Sequence, residues 1–341
     1  MLWPRKRQRE VHRTEPATDT YRPFKECIVT SALTPHLHPP IRGVLAPVVT
    51  PFGYDLEVDT QAFIEHCRWL VDAGAGLAVF GTNSEAASLS LSERMSLLDT
   101  SIDAGLPAGR MMPGTGTPSL KETVELTRHA VNIGAAGVLM LPPYYFKNPS
   151  ENGLFDYFSR VIDLVSDSRL RIYLYHIPQF TQVPITLPLI ERLIRRYPGI
   201  VRGAKDSSGD WANTEAMIRS FGADGFDVFP ASEAFLARST EIGGAGCISA
   251  TANMNPRGLV ELYTALISGE PTNTLSAALA IREIFMSVPM IPAMKYVMSK
   301  VTNTPSWSVV RPPLTSLPDE FGLDLMKRLS DVRFVMHGMN S

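Results

Sequence analysis

Two rhythms alternate along the chain from Gly43 onward. Short apolar or β-branched runs, at residues 43–49, 76–80, 110–113, 137–141, 171–175, 201–205, 226–229 and 246–249, separate stretches whose apolar residues recur with helical spacing. Neighbouring runs start 20 to 34 residues apart, which leaves room for one amphipathic helix and two short connections. Helix signals fill these gaps. Asp59 precedes a segment in which Phe63, Cys67, Leu70 and Val71 share a face, and Ser90-Leu91-Ser92-Glu93 has capping-box spacing. Thr117-Pro118-Ser119 introduces a face of Val124, Leu126 and Val131 that stops at Gly134. Leu187-Pro188 puts a proline in a first turn, and Pro198-Gly199 ends that helix.

Strand–helix units in unbroken succession predict a parallel sheet. Their number, eight, and the spread of unusual polar residues over several strand ends favour an α/β fold of the closed (β/α)8 TIM-barrel type over an open doubly wound sheet. After Pro256 the pattern is helical only, over residues 257–266, 273–286, 291–301 and 319–337. The last three segments predict a C-terminal helical appendage. The expected organisation is an N-terminal extension at 1–40, expected to be flexible, a barrel at 41–268 and a helical region at 269–341, joined at Gly269-Glu270-Pro271. Met286, Met290, Met294 and Met298, four apart, read as packing.

Composition narrows the function. The chain has 341 residues, a net charge of −2 and 45% hydrophobic residues, so it can bury a large core and has no basic excess for nucleic acid. Cys27, Cys67 and Cys247 are sparse and far apart, which speaks against a disulfide scaffold and for a cytoplasmic setting. No apolar run reaches the length of a membrane span. Residues 1–40 carry seven basic and four acidic side chains without a signal-peptide core, and His36-Leu37-His38 is a weak metal signal with no further ligands.

Barrel enzymes carry their chemistry on the loops that leave the C-terminal ends of the strands. The sixth run, Val201-Arg202-Gly203-Ala204-Lys205, ends on an amine before a Ser-Ser-Gly turn, in a chain whose basic residues are 24 Arg and only eight Lys. A desolvated amine at such a position can attack a ketone and form a Schiff base. The second run leads into Gly81-Thr82-Asn83-Ser84-Glu85, whose hydroxyl, amide and backbone N–H groups suit a small carboxylate. The fourth leads into Pro143-Tyr144-Tyr145, and the fifth ends at Tyr175 before His176-Ile177-Pro178. The eighth gives Gly246-Cys247-Ile248-Ser249, where small residues let a ligand approach the backbone. An amine, a phenol, a hydroxyl and an anion cradle at one rim describe a site for a 2-oxo acid. The imine then withdraws electrons, so that C3 can act as an enamine carbon in carbon–carbon bond making or breaking, or in loss of water. No metal is expected, and no cofactor beyond the covalent lysine imine.

At these residues the chain resembles the dihydrodipicolinate synthase / N-acetylneuraminate lyase family of pyruvate-dependent, Schiff-base aldolases. The carrying motifs are Pro47-Val48-Val49-Thr50-Pro51-Phe52, the 81–85 loop before Leu89-Ser90, Pro143-Tyr144-Tyr145, Tyr175-His176-Ile177-Pro178, Gly203-Ala204-Lys205-Asp206-Ser207-Ser208-Gly209-Asp210 and Gly243-Gly244-Ala245-Gly246-Cys247-Ile248-Ser249. The resemblance runs from Ile41 into the C-terminal helices. It implies that Lys205 is the Schiff-base lysine, Tyr175 its acid/base partner, Thr82 a relay hydroxyl that binds the substrate carboxylate together with Asn83, and Tyr145 a relay tyrosine reaching across a dimer interface. It also implies a homotetramer built as a dimer of dimers. Ile248 is expected to line the substrate site.

Departures from the family pattern bear on substrate. Asn83-Ser84 stand where Thr-Gly is usual, the loop after Tyr145 is one residue longer, and His176 replaces a common Asn. Phe180 occupies the position of the arginine that, in the synthase, clamps the carboxylate of the aldehyde substrate, and a phenyl ring cannot make that bidentate contact. The reading is therefore a lyase acting on a 2-oxo-3-deoxy or 4-hydroxy-2-oxo acid through a pyruvate-type imine. The alternatives are an authentic 4-hydroxy-tetrahydrodipicolinate synthase using aspartate semialdehyde, and a barrel that binds a 2-oxo acid without turnover. A phosphate-handling barrel fits less well, because Gly243-Gly244-Ala245-Gly246 precedes the eighth strand instead of following it.

Overall fold

Parallel segments close on one another in chain order in the computed structural model, which describes residues 39–339. The extension up to residue 38, with the His36–His38 pair, lies outside the described residues. The strands are β1 (Gly43–Ala46), β2 (Gly76–Leu77), β3 (Val138–Met140), β4 (Ile172–His176), β5 (Val201–Asp206), β6 (Asp227–Pro230) and β7 (Gly246–Ile248). They form two parallel sheets, in the orders β2-β1-β7 and β3-β4-β5-β6.

The expected strand at 110–113 is corrected to a pair of single bridges, Leu77 to Met111 and Gly114 to Leu139. Pro113 has no N–H to give, so a continuous ladder cannot run through it. The segment still fills the gap between β2 and β3. Met112 N–H donates to Leu77 O at 2.8 Å, Gly114 N–H to Val79 O at 2.8 Å, and Leu139 N–H to Pro113 O at 2.8 Å. On the other side Ala245 N–H donates to Val228 O at 3.0 Å and joins β6 to β7. The eight-membered barrel of the sequence reading is thus present, with shorter strands than its apolar runs suggested. Pro47, for example, ends β1 three residues before that run does.

Leu45, Met112, Leu139, Tyr173, Phe229 and Ile248 fill the barrel interior. Tyr173 fits there because position 203 is glycine: a Cβ would stand 2.7 Å from the ring and 2.1 Å from Asp227 O. At this N-terminal end of the barrel, buried Asp227 pairs with Arg42 and sits 3.8 Å from Arg202.

The outer helices are α1 (Thr60–Asp72), α2 (Leu91–Asp103), α3 (Leu120–Asn132), α4 (Glu151–Val165), the short α5 (Pro178–Thr181), α6 (Leu187–Arg196), α7 (Trp211–Phe221), α8 (Leu236–Glu241) and α9 (Pro256–Ser268). Their starts follow the predicted chemistry. Asp59 caps α1, Ser90 and Glu93 form the capping box of α2, and Ser119 caps α3.

Three further helices, α10 (Thr274–Met286), α11 (Met290–Val301) and α12 (Asp319–Asp331), share an apolar cluster that includes Phe285, Met294, Tyr296, Met298, Trp307 and Leu325. Met294 and Met298 are core residues, whereas Met286 is exposed. Among the described residues no single helix is long and apolar enough to cross a membrane.

His66 of α1 lies against this cluster, stacked on Trp69 and edge-on to Trp307. Its Nε2 is 3.1 Å from Asn253 Oδ1, which already accepts the Val49 N–H. Nε2 therefore carries the hydrogen, and buried Nδ1 has no partner among the described residues. Burial lowers the imidazole from 6.5 to about 4. The unfolded chain takes up a proton near pH 6.5 that the folded chain refuses until about pH 4. This contribution is complete above pH 6.5 and is lost as pH falls to 4, by about 3 kcal/mol in all. In urea titrations across that range, His66→Gln should flatten the acid-side loss of stability; an unchanged slope would remove His66 as its source.

Candidate active site

Strand alternation decides which side chains enter the barrel. In β5, Ala204 packs outward among the helices, while Gly203 lies against Tyr173 and Lys205 points inward with it. In β4, Ile172 and Leu174 pack outward, and Tyr173 and Tyr175 point inward. The ladder pairs Tyr175 with Lys205 directly. Lys205 Nζ donates to Tyr175 Oη at 3.3 Å, and the same amine lies 4.4 Å from the centroid of the Tyr175 ring. Tyr175 Oη is in turn 3.0 Å from Thr82 Oγ1. Either hydroxyl can donate in that second contact, so the three groups form a continuous hydrogen-bonded chain from amine to phenol to hydroxyl.

Lys205 is 3% exposed and Tyr175 2%, with Thr82 half-buried beside them. The amine makes no ion pair with any described residue. Asp206, its neighbour in sequence, faces away. Its carboxylate accepts from Ser208 N–H at 2.9 Å, Asn213 Nδ2 at 3.0 Å and Thr214 Oγ1 at 2.6 Å, and so fixes the turn that follows the strand. The outcome is a buried primary amine held by a phenol rather than by a carboxylate. Such an amine is placed to act as a nucleophile, with a hydroxyl chain available for proton transfer.

Thr82 owes its position to an unusual loop. Phe80 and Glu85 both adopt left-handed backbone, with φ of 59° and 55°. Each conformation costs a non-glycine residue on the order of 1 kcal/mol. Between them Ser84 N–H donates to Gly81 O and Glu85 N–H to Thr82 O, and Thr50 Oγ1 donates to Ser84 O at 2.8 Å. Gly114 leaves space for the Phe80 carbonyl, which a Cβ would approach to 2.0 Å. Asn83 is half-buried, and its side chain makes no hydrogen bond to the described residues. Its amide is therefore available to a ligand.

The remaining predicted residues divide. Ile248 is buried in β7 among the interior side chains that include Tyr175. His176 points outward; its Nδ1 accepts Ile185 N–H at 3.0 Å, and burial lowers its imidazole. Tyr145 does not join the Lys205–Tyr175–Thr82 group within one chain. It is 76% exposed and stands edge-on to Phe146. Phe180 is also exposed, on α5. Two contacts hold these rim segments: Lys147 Nζ donates to Thr181 O at 3.0 Å, and Gln179 Nε2 donates to Ser207 O at 2.6 Å.

Two buried charge pairings near the rim escaped the sequence reading. Buried Glu233, just after β6, accepts from Ser249 and Thr251 after β7 and from Arg282 of α10 at 3.0 Å. Buried Glu85 is paired with Lys295 of α11. No local pattern marks such pairs, because their members are 49 and 210 residues apart.

Residues 40–332 match the dihydrodipicolinate synthetase family. A relative from Chloroflexus aurantiacus, named an uncharacterized DapA-like lyase, is 33% identical over 82% of this chain and 93% of its own length. The crystal structure of dihydrodipicolinate synthase from Agrobacterium tumefaciens superposes with a TM-score of 0.78 at 32% identity, covering 86% of this chain and 99% of that one. A prophage protein of the dihydrodipicolinic acid synthase family from E. coli K12, solved in complex with pyruvate, superposes with a TM-score of 0.78 at 28% identity over the same shares.

Proposed function

We propose that this chain, which belongs to the dihydrodipicolinate synthetase family and is a lyase of the class I aldolase type, works through an imine between Lys205 and a 2-oxo acid. The observation that carries the reading is the Lys205–Tyr175–Thr82 chain of contacts at 3.3 and 3.0 Å. Nζ attacks the ketone carbon, C2. One of its protons moves to the carbinol oxygen by way of Tyr175 and Thr82, and a second proton, delivered from solvent along the same chain, lets that oxygen leave as water and gives the protonated imine. The substrate carboxylate lies against the Thr82 hydroxyl and the Asn83 amide. The C4 hydroxyl gives its proton to the Tyr175–Thr82 chain and becomes the aldehyde carbonyl as the C3–C4 bond breaks; the C3–C4 electron pair passes into C3–C2 and the C2–N π pair onto the imine nitrogen, the aldehyde departs, and the enamine takes a proton at C3. Water then releases pyruvate and restores the amine. The reverse sequence is condensation; if the imine instead loses a proton from C3, the resulting enamine expels the C4 hydroxyl, protonated, as water, which is dehydration.

The favoured substrate is a 2-oxo-3-deoxy or 4-hydroxy-2-oxo acid. Phe180 supports this choice over aspartate semialdehyde, because an exposed phenyl ring gives a second carboxylate no donor. Exposure of Tyr145 and Phe146 on one loop supports an assembly in which a second copy brings Tyr145 to the neighbouring site, within a dimer of dimers. Buried free Cys67 and Cys247 agree with a cytoplasmic enzyme.

A panel of 2-oxo-3-deoxy and 4-hydroxy-2-oxo acids, followed by pyruvate release, tests the substrate reading. At least one member should turn over with a higher kcat/KM than the condensation of pyruvate with aspartate semialdehyde. If the condensation is faster than every cleavage, the protein is the synthase and Phe180 does not exclude its substrate.

A further inference from the structure

We propose that Lys295 and Arg311, from the C-terminal helical region, are positioning residues for the 2-oxo acid: they hold Glu85 and thereby set Thr82 and Asn83 at the barrel mouth. The inference deepens the imine reading and rests on it.

The geometry is a closed clamp. Lys295 Nζ lies 2.7 Å from Glu85 Oε1, and both side chains are fully buried. Glu85 Oε2 accepts the Arg311 backbone N–H at 3.0 Å, so each carboxylate oxygen has its own partner. The Arg311 guanidinium continues the fixing. It donates to Ser88 O at 2.8 Å, to Leu56 O at 2.9 and 2.7 Å, and to Glu93, the residue that completes the α2 capping box. Phe52 lies against both cations, with its ring centroid 4.3 Å from Lys295 Nζ and 4.5 Å from the Arg311 guanidinium. The loop between β2 and α2 is thus held from its far end by groups that arrive from more than two hundred residues away.

Burial pulls the Lys295 amine down while Glu85 pulls it upward, so a buried pair of this kind is weak evidence of a gain in stability. Glu85 also holds its left-handed backbone, as does Phe80 at the other end of the loop. The consequence of the clamp is positional. Glu85 N–H donates to Thr82 O at 3.1 Å, so the strained residue is bonded directly to the one whose hydroxyl meets Tyr175. Releasing Glu85 lets its backbone relax, and Thr82 and Asn83 move with it. The amine, on β5, stays where it is.

The test separates binding from chemistry. Borohydride trapping of pyruvate on the full chain, followed by mass, gives both the pyruvate concentration for half-maximal adduct and the maximal rate of adduct formation. Lys295→Met leaves a buried carboxylate unpaired and risks misfolding. The double variant Glu85→Gln with Lys295→Met removes both charges at similar volume. In the folded double variant, half-saturation should rise at least about tenfold, and the rate at saturation should fall less than in Tyr175→Phe, because the displaced Thr82 hydroxyl serves the relay as well as the carboxylate. Asp227→Asn, at the opposite end of the barrel, should lower the melting temperature without moving half-saturation. A folded double variant with unchanged half-saturation overturns the clamp, as does an equal shift in Asp227→Asn. If the unaltered chain traps no pyruvate, the imine reading itself fails and the clamp falls with it.

Discussion

Replacing Lys205 with methionine should abolish covalent trapping of pyruvate and lower turnover by about 10⁵-fold or more. The expectation follows from the geometry of one nitrogen. Lys205 is the inward-pointing amine next to the end of β5, its hydrogen-bond partner is the Tyr175 phenol, and it pairs with no described carboxylate. Methionine keeps the length and apolar stem of the side chain, so the fold should persist; near-native melting separates loss of chemistry from loss of structure. Lys295 is the internal comparison. It is as deeply buried, but it is neutralised by Glu85 at 2.7 Å, so it should carry no label after borohydride and pyruvate treatment. Label on Lys295, or persistent label in Lys205→Met, would falsify the assignment of the nucleophile.

The contrast between these two lysines also marks what the sequence could tell. Lys205 was legible because it ends an apolar run beside a turn, and strand alternation with the barrel rule then determines where such an end points. Tyr175 and Thr82 were legible for the same reason, and the structure brings all three together. Lys295 lies within Met290–Val301, where a four-residue methionine spacing dominates and a cation, like Lys300 five residues on, looks like a solvent-facing exception. Its partner is 210 residues earlier, and no periodicity reports a contact of that range. The same limit applied to Glu233 and Arg282. The strand expected at 110–113 failed for a local reason. Apolar content predicted burial correctly, with Met111 and Met112 almost inaccessible, but Pro113 removed the ladder donor. Tyr145 was placed at the rim correctly by its loop, yet whether it meets a site depends on a second copy, which no single chain contains.

The second large effect belongs to Tyr175. Removing only its hydroxyl, as Tyr175→Phe, deletes the contacts to Lys205 at 3.3 Å and to Thr82 at 3.0 Å while the ring keeps its place among Tyr173, Phe229 and Ile248. Losing a bridging hydroxyl costs about 1 kcal/mol of stability, so the variant should fold. Turnover should fall about 10² to 10⁴-fold, the usual worth of a positioned proton carrier. The amine remains, so pyruvate should still be trapped, only more slowly. This separates the phenol from the nucleophile: Lys205→Met loses the adduct, whereas Tyr175→Phe retains it and loses speed. Thr82→Val, which keeps the phenol and breaks the chain one step later, should slow turnover less than Tyr175→Phe and should also weaken pyruvate binding, because in the proposed mechanism the Thr82 hydroxyl serves both the relay and the carboxylate. If Tyr175→Phe turned over at nearly the native rate, protons would have to reach the imine from another group. One candidate would then be Tyr145 of a second copy, and combining Tyr145→Phe with Tyr175→Phe would test it.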